Sequence, residues 1–237
     1  MTAGLPIVEL ENGRVLIESA QGPDREATPL LIIPSRELTP AEAQTLAKNL
    51  SDQFTTFVVS SPRPVSSRIF EYVDKLRQAA FASGIRRATV VGWGAGAAAA
   101  QALAVVDPKF VRRLVLINAE TRVEPTLFSR FIDALERFLP LGLPLRPLSA
   151  DFDSRPMLHR IRCPSLVVIQ SGGSSYLSAQ AQYIVKKVPN VWLVPLPAIA
   201  SSELNLSLEL RSLLVEFLEI PTKRPQKNSL GELLMTA

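Results

Sequence analysis

The sequence has little of the two residue types that most often act as nucleophiles, bases or metal ligands. Among its 237 residues there is a single histidine, His159, and a single cysteine, Cys163. One cysteine excludes an internal disulfide and a cysteine-rich metal site, and it fits a protein of a reducing compartment. The composition therefore predicts a cytoplasmic protein with no metal or other cofactor, in which any histidine chemistry depends on one position.

Long hydrophobic runs are also missing. The longest apolar piece, residues 138–145, is short and interrupted by prolines, whereas a membrane-spanning helix needs about 20 apolar residues. Residues 1–6 lack the basic region and apolar stretch of a signal peptide. We therefore expect no transmembrane segment. A hydrophobic content of 47% is enough for one large buried core.

Charge of one sign is only slightly in excess, with 26 Lys and Arg against 22 Asp and Glu, or +4 overall. Half of that excess lies in residues 220–237, where Lys223, Arg224 and Lys227 face Glu232 alone. A nucleic-acid binder usually shows a clustered basic face. The remaining small excess therefore predicts no nucleic-acid partner. The chain is interpreted as one domain, residues 1–219, followed by a flexible basic tail, residues 220–237.

Apolar runs and helical periodicity alternate along the domain. An Asn-Gly pair at 12–13 predicts a hairpin, and six strand-and-helix units follow it. The predicted strands are residues 7–10, 15–18, 30–33, 56–59, 88–91, 113–117, 166–169 and 191–194. The predicted helices are residues 40–50, 67–82, 95–106, 178–187 and 203–218. This order predicts an α/β fold with a mostly parallel, eight-stranded sheet and helices on both faces.

One segment, residues 88–119, resembles the α/β-hydrolase fold family. It runs from a strand through Gly92-Trp93-Gly94-Ala95-Gly96 into a helix of small residues and then into Asp107-Pro108 and a further strand. Family members have G-x-S-x-G at this turn, the nucleophile elbow. The likeness extends over roughly residues 5–219. It implies an α/β-hydrolase-like domain with a short helical lid at about residues 119–160.

The resemblance also implies where catalytic groups would stand, and the chain lacks them. Gly94 occupies the place of the nucleophilic serine, so only the backbone N–H of Ala95 would remain as half of an oxyanion hole. The loop that usually holds the acid, residues 170–175, has no carboxylate, and the loop that usually holds the histidine, residues 195–202, has no histidine. Together with the replacement of the family's His-Gly pair by Pro34-Ser35, these three losses indicate a pseudoenzyme.

Other polar residues are candidates for the rim of the vacated pocket. Pro34-Ser35 replaces the family's His-Gly pair, and Glu120 follows the strand at 113–117, where some hydrolases carry their acid. The full set of candidate rim residues is Pro34, Ser35, Ser60, Ser61, Glu120, Ser171 and Ser174. A serine without a base is a weak nucleophile. His159 leads into a strand, so it should lie far from Gly94, because catalytic loops follow strands.

The segment between the strands at 113–117 and 166–169 contains an apolar helical stripe that includes Phe128, Phe131 and Leu135. These residues are candidates for the lid. The stripe would either seal the empty pocket, hold an apolar ligand or offer a surface to a partner. Residues 230–235 in the tail have two interpretations. They either dock on a partner through their Leu and Met side chains or form a frayed terminus.

Three functions follow from these observations. The leading hypothesis is a non-catalytic protein that acts as a protein-binding scaffold or accessory subunit. The alternative is a receptor or carrier for a small apolar ligand under the lid. The third is an unconventional hydrolase or lyase that uses Glu120 and backbone donors without a Ser-His-Asp triad. The fold alone does not choose between them.

Overall fold

The computed structural model describes residues 16–20, 28–34, 40–60, 69–122, 153–170, 175–196 and 203–219. Several predictions fall outside these residues. They are the strand at 7–10, the rim serines Ser35, Ser61, Ser171 and Ser174, the lid residues Phe128, Phe131 and Leu135, and the tail at 220–237.

Seven strands and five α-helices follow one another in the described residues. The strands are β1 (Leu16–Ala20), β2 (Leu30–Ile33), β3 (Thr56–Ser60), β4 (Ala88–Trp93), β5 (Val111–Ile117), β6 (Ser165–Gln170) and β7 (Val191–Leu196). The helices are α1 (Pro40–Leu50), α2 (Ile69–Ala82), α3 (Ala95–Val106), α4 (Ser175–Lys187) and α5 (Glu203–Glu219), with a 3₁₀ turn at Leu158–Arg160.

The seven strands form one sheet in the order β1-β3-β2-β4-β5-β6-β7. β1 pairs antiparallel with β3, and the other neighbours are parallel. The predicted mostly parallel sheet is therefore confirmed, with seven of its eight expected strands inside the described residues. From β2 the chain first moves outward to β3 and then returns to the other side as β4. The connections after β2 and β4 thus leave in opposite directions, which opens a crevice at their carboxyl ends.

Helices cover both faces of the sheet, as predicted. On one face Leu31, Ile33, Val90 and Leu116 pack with α2, α3 and α4. On the other face Leu30, Ile32 and Val115 pack with α1 and α5. Because side chains alternate between the faces along a strand, two consecutive apolar residues feed two separate cores. This explains why the parallel strands are almost wholly apolar in sequence.

Several strands are longer than their apolar runs predicted. β4 continues through Gly92 and Trp93, which still pair with Leu116 and Ile117 of β5. β7 continues through Pro195 to Leu196, which is possible because β7 is the last strand of the described sheet and a proline is tolerated at an edge. The extension of β4 has a consequence for the site, because it leaves one residue, Gly94, between strand and helix.

Candidate functional site

The candidate site is the turn from β4 into α3, at the crevice between the diverging connections. β4 ends at Trp93 and α3 begins at Ala95, so Gly94 makes the whole turn. The N–H of Gly94 donates to the carbonyl oxygen of Ile117 on β5 at 2.9 Å, and its own carbonyl oxygen accepts from the N–H of Ala97 at 3.0 Å. The turn is therefore fixed to the neighbouring strand and to the first turn of the helix.

The backbone at Gly94 has φ 50° and ψ −118°. This conformation lies outside the regions that L-residues populate readily, and a residue with a side chain is strained there by about 1–3 kcal/mol. Glycine has no Cβ and adopts it without that cost. The elbow geometry thus remains while the residue at its tip carries no side chain and no attacking oxygen.

The two flanking glycines are required by packing. A Cβ on Gly92 would lie 2.6 Å from the Cα of Ala97 and 2.7 Å from the Cβ of Ala100, both on α3. A Cβ on Gly96 would lie 2.1 Å from the carbonyl oxygen of Ile33 at the end of β2. These glycines allow α3 to start directly against two strands. Their spacing is explained by the fold, whether or not a nucleophile stands between them.

Trp93 does not form an open wall of the site. Its side chain is 4% exposed and belongs to the core between the sheet and helices α1 and α5. Pro34 leaves β2 beside the elbow, because a Cβ on Gly96 would lie 2.8 Å from the Pro34 carbonyl oxygen. Ser60 ends β3, the next strand outward from β2. The structure therefore places Pro34 at the elbow and Ser60 one strand farther away.

Glu120 follows β5 at the same edge of the sheet and is half-buried. Its carbonyl oxygen accepts a hydrogen bond of 3.1 Å from Nε2 of Gln101, which is fully buried on α3. Within the described part of the chain, the Gln101 Oε1 has no hydrogen-bond partner. Our sequence reasoning missed Gln101. Its signal was its position as the one polar side chain in the apolar helix 95–106.

Within the predicted lid segment, four described residues lie together, and we call them the neck: Thr121, Arg122, Asp153 and Ser154. Arg122 and Asp153 form an antiparallel bridge. The carbonyl oxygen of Thr121 accepts from the N–H of Ser154 at 2.8 Å and from its Oγ at 3.1 Å. Both ends of the intervening segment are therefore tied together at the carboxyl edge of the sheet.

Helix α4 secures the neck from the side. Oε1 of Gln180 accepts from the buried N–H of Thr121 at 3.1 Å and also from the Thr121 hydroxyl. The hydroxyl of Tyr176 donates to the Arg122 carbonyl oxygen at 2.8 Å. These partners are more than 50 positions apart in sequence. No local pattern could have paired them.

Neither the single histidine, His159, nor the single cysteine, Cys163, lies in a reactive setting. His159 is exposed on the 3₁₀ turn that packs against α3 and α4 before β6 begins. Burial raises the pKa of the Cys163 thiol to about 11, so the thiol stays protonated at neutral pH and is a poor nucleophile. In the described ranges, no three or more His, Cys, Asp or Glu residues form a group that could hold a metal ion.

Many solved structures share this architecture. A hydrolase from Pseudomonas aeruginosa PA01 aligns with TM-score 0.70 and 18% identity over 92% of this chain and 100% of its own. The enol-lactonase from Burkholderia xenovorans LB400 aligns with TM-score 0.69 and 16% identity over 90% and 99%. The metagenomic α/β hydrolase MGS-M2 aligns with TM-score 0.70 and 16% identity over 94% and 100%.

The sequence itself matches no known family model and no curated protein. No helix within the described residues is both long and apolar enough to cross a membrane. The arrangement of the sheet, the elbow turn and the structural alignments agree on one assignment: the chain has the α/β-hydrolase fold.

Proposed function

We propose that this chain is a non-catalytic α/β-hydrolase-fold protein that acts as a protein-binding scaffold or accessory subunit. The observation that carries the proposal is Gly94 at the tip of an otherwise intact elbow, with φ 50° and ψ −118°. In a working enzyme of this fold, the strain of that conformation presents a serine oxygen to the substrate. Here glycine adopts the conformation without that strain, and it has no side-chain oxygen to present to a substrate.

The missing groups act as a unit, and this makes the proposal stronger than one substitution would. A hydroxyl attacks only when a base takes its proton and an acid orients the base. Residues 171–174, which follow β6 in sequence, include no carboxylate, and residues 195–202, which begin within β7, include no histidine. Restoring the serine alone would therefore leave the hydroxyl unactivated. Backbone donors at the start of α3 would then contribute to binding only.

The neck supports a retained binding role at the same edge. Thr121 is 1% exposed and Ser154 is fully buried, and both are hydrogen-bonded. Unpaired polar groups at such depth would cost about 1–3 kcal/mol each. The fold thus holds the two ends that flank residues 123–152 together at the carboxyl edge of the sheet, where the elbow has no nucleophile. We propose that this segment, which includes Phe128, Phe131 and Leu135, contributes to the partner surface.

The compartment and the partner are part of the proposal. A single, largely buried cysteine fits the cytoplasm. The partner is another protein rather than a nucleic acid, and no cofactor is required. A carrier of a small apolar ligand is the competing use of the same crevice. Native mass spectrometry of gently purified protein separates the two, because a carrier retains a ligand mass and a scaffold does not.

The decisive experiment compares reactivity with a fluorophosphonate probe and a panel of short-chain esters and lactones. We expect no labelling or turnover by the wild-type protein or by Gly94→Ser, whereas an active hydrolase of the same fold reacts in parallel. Turnover that co-purifies with the wild-type protein would contradict the proposal. If Glu120→Gln abolished that turnover, the unconventional enzyme would be the correct function.

A further inference from the structure

The edge of the sheet opposite the elbow carries a concentration of positive charge. Three turns lead into neighbouring strands β4, β5 and β6, and they bring five cations to the surface, with a sixth, Arg112, at the second residue of β5. We call these residues the basic row: Arg86, Arg87, Lys109, Arg112, Arg160 and Arg162. All six side chains are exposed. Lys186 and Lys187, in the last turn of α4, are also exposed and flank the row before β7.

Backbone hydrogen bonds hold these turns side by side. The N–H of Ala88 donates to the Phe110 carbonyl oxygen at 2.9 Å, and the N–H of Leu114 donates to the Pro164 carbonyl oxygen at 3.0 Å. The N–H of Ser165 donates to the Asn190 carbonyl oxygen at 2.8 Å, which joins the third turn to the one before β7. The row is therefore a fixed feature of the fold, brought together from distant parts of the sequence.

The charges of the row are not neutralised by described neighbours. Among the described residues, none of the six cations forms an ion pair. The one carboxylate in the three turns, Asp107, is engaged by Arg77 at 3.7 Å and accepts from the Phe110 N–H. Arg113 follows Arg112 in β5 but is buried. Its pKa is lowered mainly by this burial and to a smaller extent by the positive charge of Arg112.

The row is narrow and does not extend over the whole edge. Neighbouring strands are about 4.8 Å apart, so three strands place the cations across about 10 Å, before side-chain reach is added. Farther along the edge, before β3, the exposed Asp52 pairs with Arg211. A flat anionic membrane would be complementary to positive charge spread over a wide area of the protein surface. A narrow row matches a linear polyanion.

The side chains between the cations favour a polypeptide over a nucleic acid. Proteins that bind single-stranded nucleic acids combine cations with open aromatic rings on which bases stack. In these three turns no Phe, Tyr or Trp ring is exposed, since Phe110 is 1% exposed. Two other rings are exposed near the row: His159 in the third turn, and Tyr183, which lies 5.9 Å from Nζ of the flanking Lys187. Phe81 nearby lies under the Arg86 guanidinium at 5.7 Å from its ring centre. Arginine forms bidentate hydrogen bonds with carboxylates, which suits the side chains of Asp and Glu.

We propose that the basic row is a docking site for an extended, acidic segment of a partner protein. About three to five residues of extended chain would span it, at roughly 3.3 Å per residue. The proposal deepens the scaffold function by naming the chemistry of the partner, and it rests on that function for its biological purpose. The contact itself lies at the edge opposite Gly94. It is therefore measured independently of ester hydrolysis.

The row also shows a local concentration of charge that the overall charge does not reveal. The overall excess of +4 did not indicate a clustered basic face. The cations are separated into pairs along the chain, and only the parallel sheet brings the pairs together. The prediction that the partner is not a nucleic acid is therefore tested directly, with nucleic acid as one measured outcome.

The test uses fluorescence anisotropy of the full-length protein with a labelled peptide that contains a run of alternating Asp and Glu. We expect binding that weakens as salt rises and that falls at least about tenfold in Arg86→Glu/Arg87→Glu. Arg160→Glu/Arg162→Glu, on a different turn, provides a second variant if the first fails to fold. Lys48→Glu/Lys75→Glu, on helices α1 and α2, makes the same change in net charge outside the six residues of the row and is expected to bind like wild type.

Three results would overturn the proposal. The first is no binding of the acidic peptide, or equal binding of its Asn/Gln counterpart. The second is an equal loss in the control variant, which would indicate a non-specific effect of net charge. The third is tighter binding of a single-stranded oligonucleotide or of phosphatidylserine vesicles than of the peptide, which would assign the row to that ligand. Esterase activity, if found, would contradict the proposed function and leave this result unchanged.

Discussion

The two edges of the sheet differ in what distinguishes them, which is backbone geometry at one edge and side-chain charge at the other. At the carboxyl edge, the elbow keeps its backbone and its close packing around Gly92 and Gly96, while its tip has no functional side chain. At the amino edge, the basic row presents six exposed charged side chains, five on turns and Arg112 at the start of β5, and the backbone there makes ordinary hydrogen bonds between turns and strands. In the first region the special feature is the backbone geometry, and the residue at its tip is a glycine. In the second region the special feature is the charge of the side chains, and the backbone geometry is ordinary.

This difference suggests how such a fold changes its use. The elbow glycines cannot be altered freely because a helix and two strands meet there. The tip residue can lose its side chain because the strained conformation favours glycine once catalysis is not required. Exposed turns at the opposite edge accept most substitutions at little cost. A binding surface is therefore more easily gained there than at the crevice.

The largest effect that would sharpen this comparison is expected from Gly96→Ala. Its Cβ would lie 2.1 Å from the Ile33 carbonyl oxygen, so α3 would have to move away from β2. We expect a loss of about 3 kcal/mol in the free energy of unfolding, measured by chemical denaturation. Gly84→Ala is the matched control. It is strained at φ 80° but has open space around the new Cβ, and it should cost about 1–2 kcal/mol.

The next effect separates structure from surface at the amino edge. Arg113 is 6% exposed, and its Nη1 donates to the Phe217 carbonyl oxygen in α5 at 2.5 Å. Its guanidinium also lies over the Phe217 ring at 5.4 Å. We expect Arg113→Ala to lower the free energy of unfolding by about 2–3 kcal/mol. The adjacent, exposed Arg112→Ala should change it by less than about 0.5 kcal/mol. Equal effects would contradict this division.

A somewhat smaller effect is expected at the neck. Gln180→Ala removes the acceptor for the N–H and hydroxyl of Thr121, which are buried. The expected loss is about 1–2 kcal/mol, with faster proteolysis between Arg122 and Asp153. Gln182→Ala, two positions along α4 and exposed, is the control and should leave both unchanged. If the two variants behaved alike, the neck would not depend on α4.

The sequence was most informative where one local pattern decides the structure. The apolar run at 30–33 coincides with β2, and the helices at 40–50 and 95–106 have their predicted bounds. The elbow was found because three glycines in a short turn have a steric cause that sequence spacing reveals. Strand ends were less accurate at β4, where Gly92 interrupts the apolar run although its backbone remains paired.

The rest could not be predicted because it depends on residues that only the sheet brings together. Thr121 and Gln180 are 59 positions apart and meet through side-chain atoms. The basic row comes from three separate turns and the start of β5, and its pairs of cations are indistinguishable in the sequence from ordinary solvated residues. Gln101 was visible as a polar residue in an apolar helix, but its partner, the carbonyl oxygen of Glu120, carries no sequence signal.

The central claim is that the intact elbow around Gly94 no longer catalyses hydrolysis, and ester turnover measures this most directly. The purified wild-type protein and Gly94→Ser should hydrolyse short-chain esters and lactones no faster than a heat-denatured sample, while a same-fold hydrolase is active in the same assay. Saturable turnover by the wild-type protein that disappears on denaturation would contradict the account.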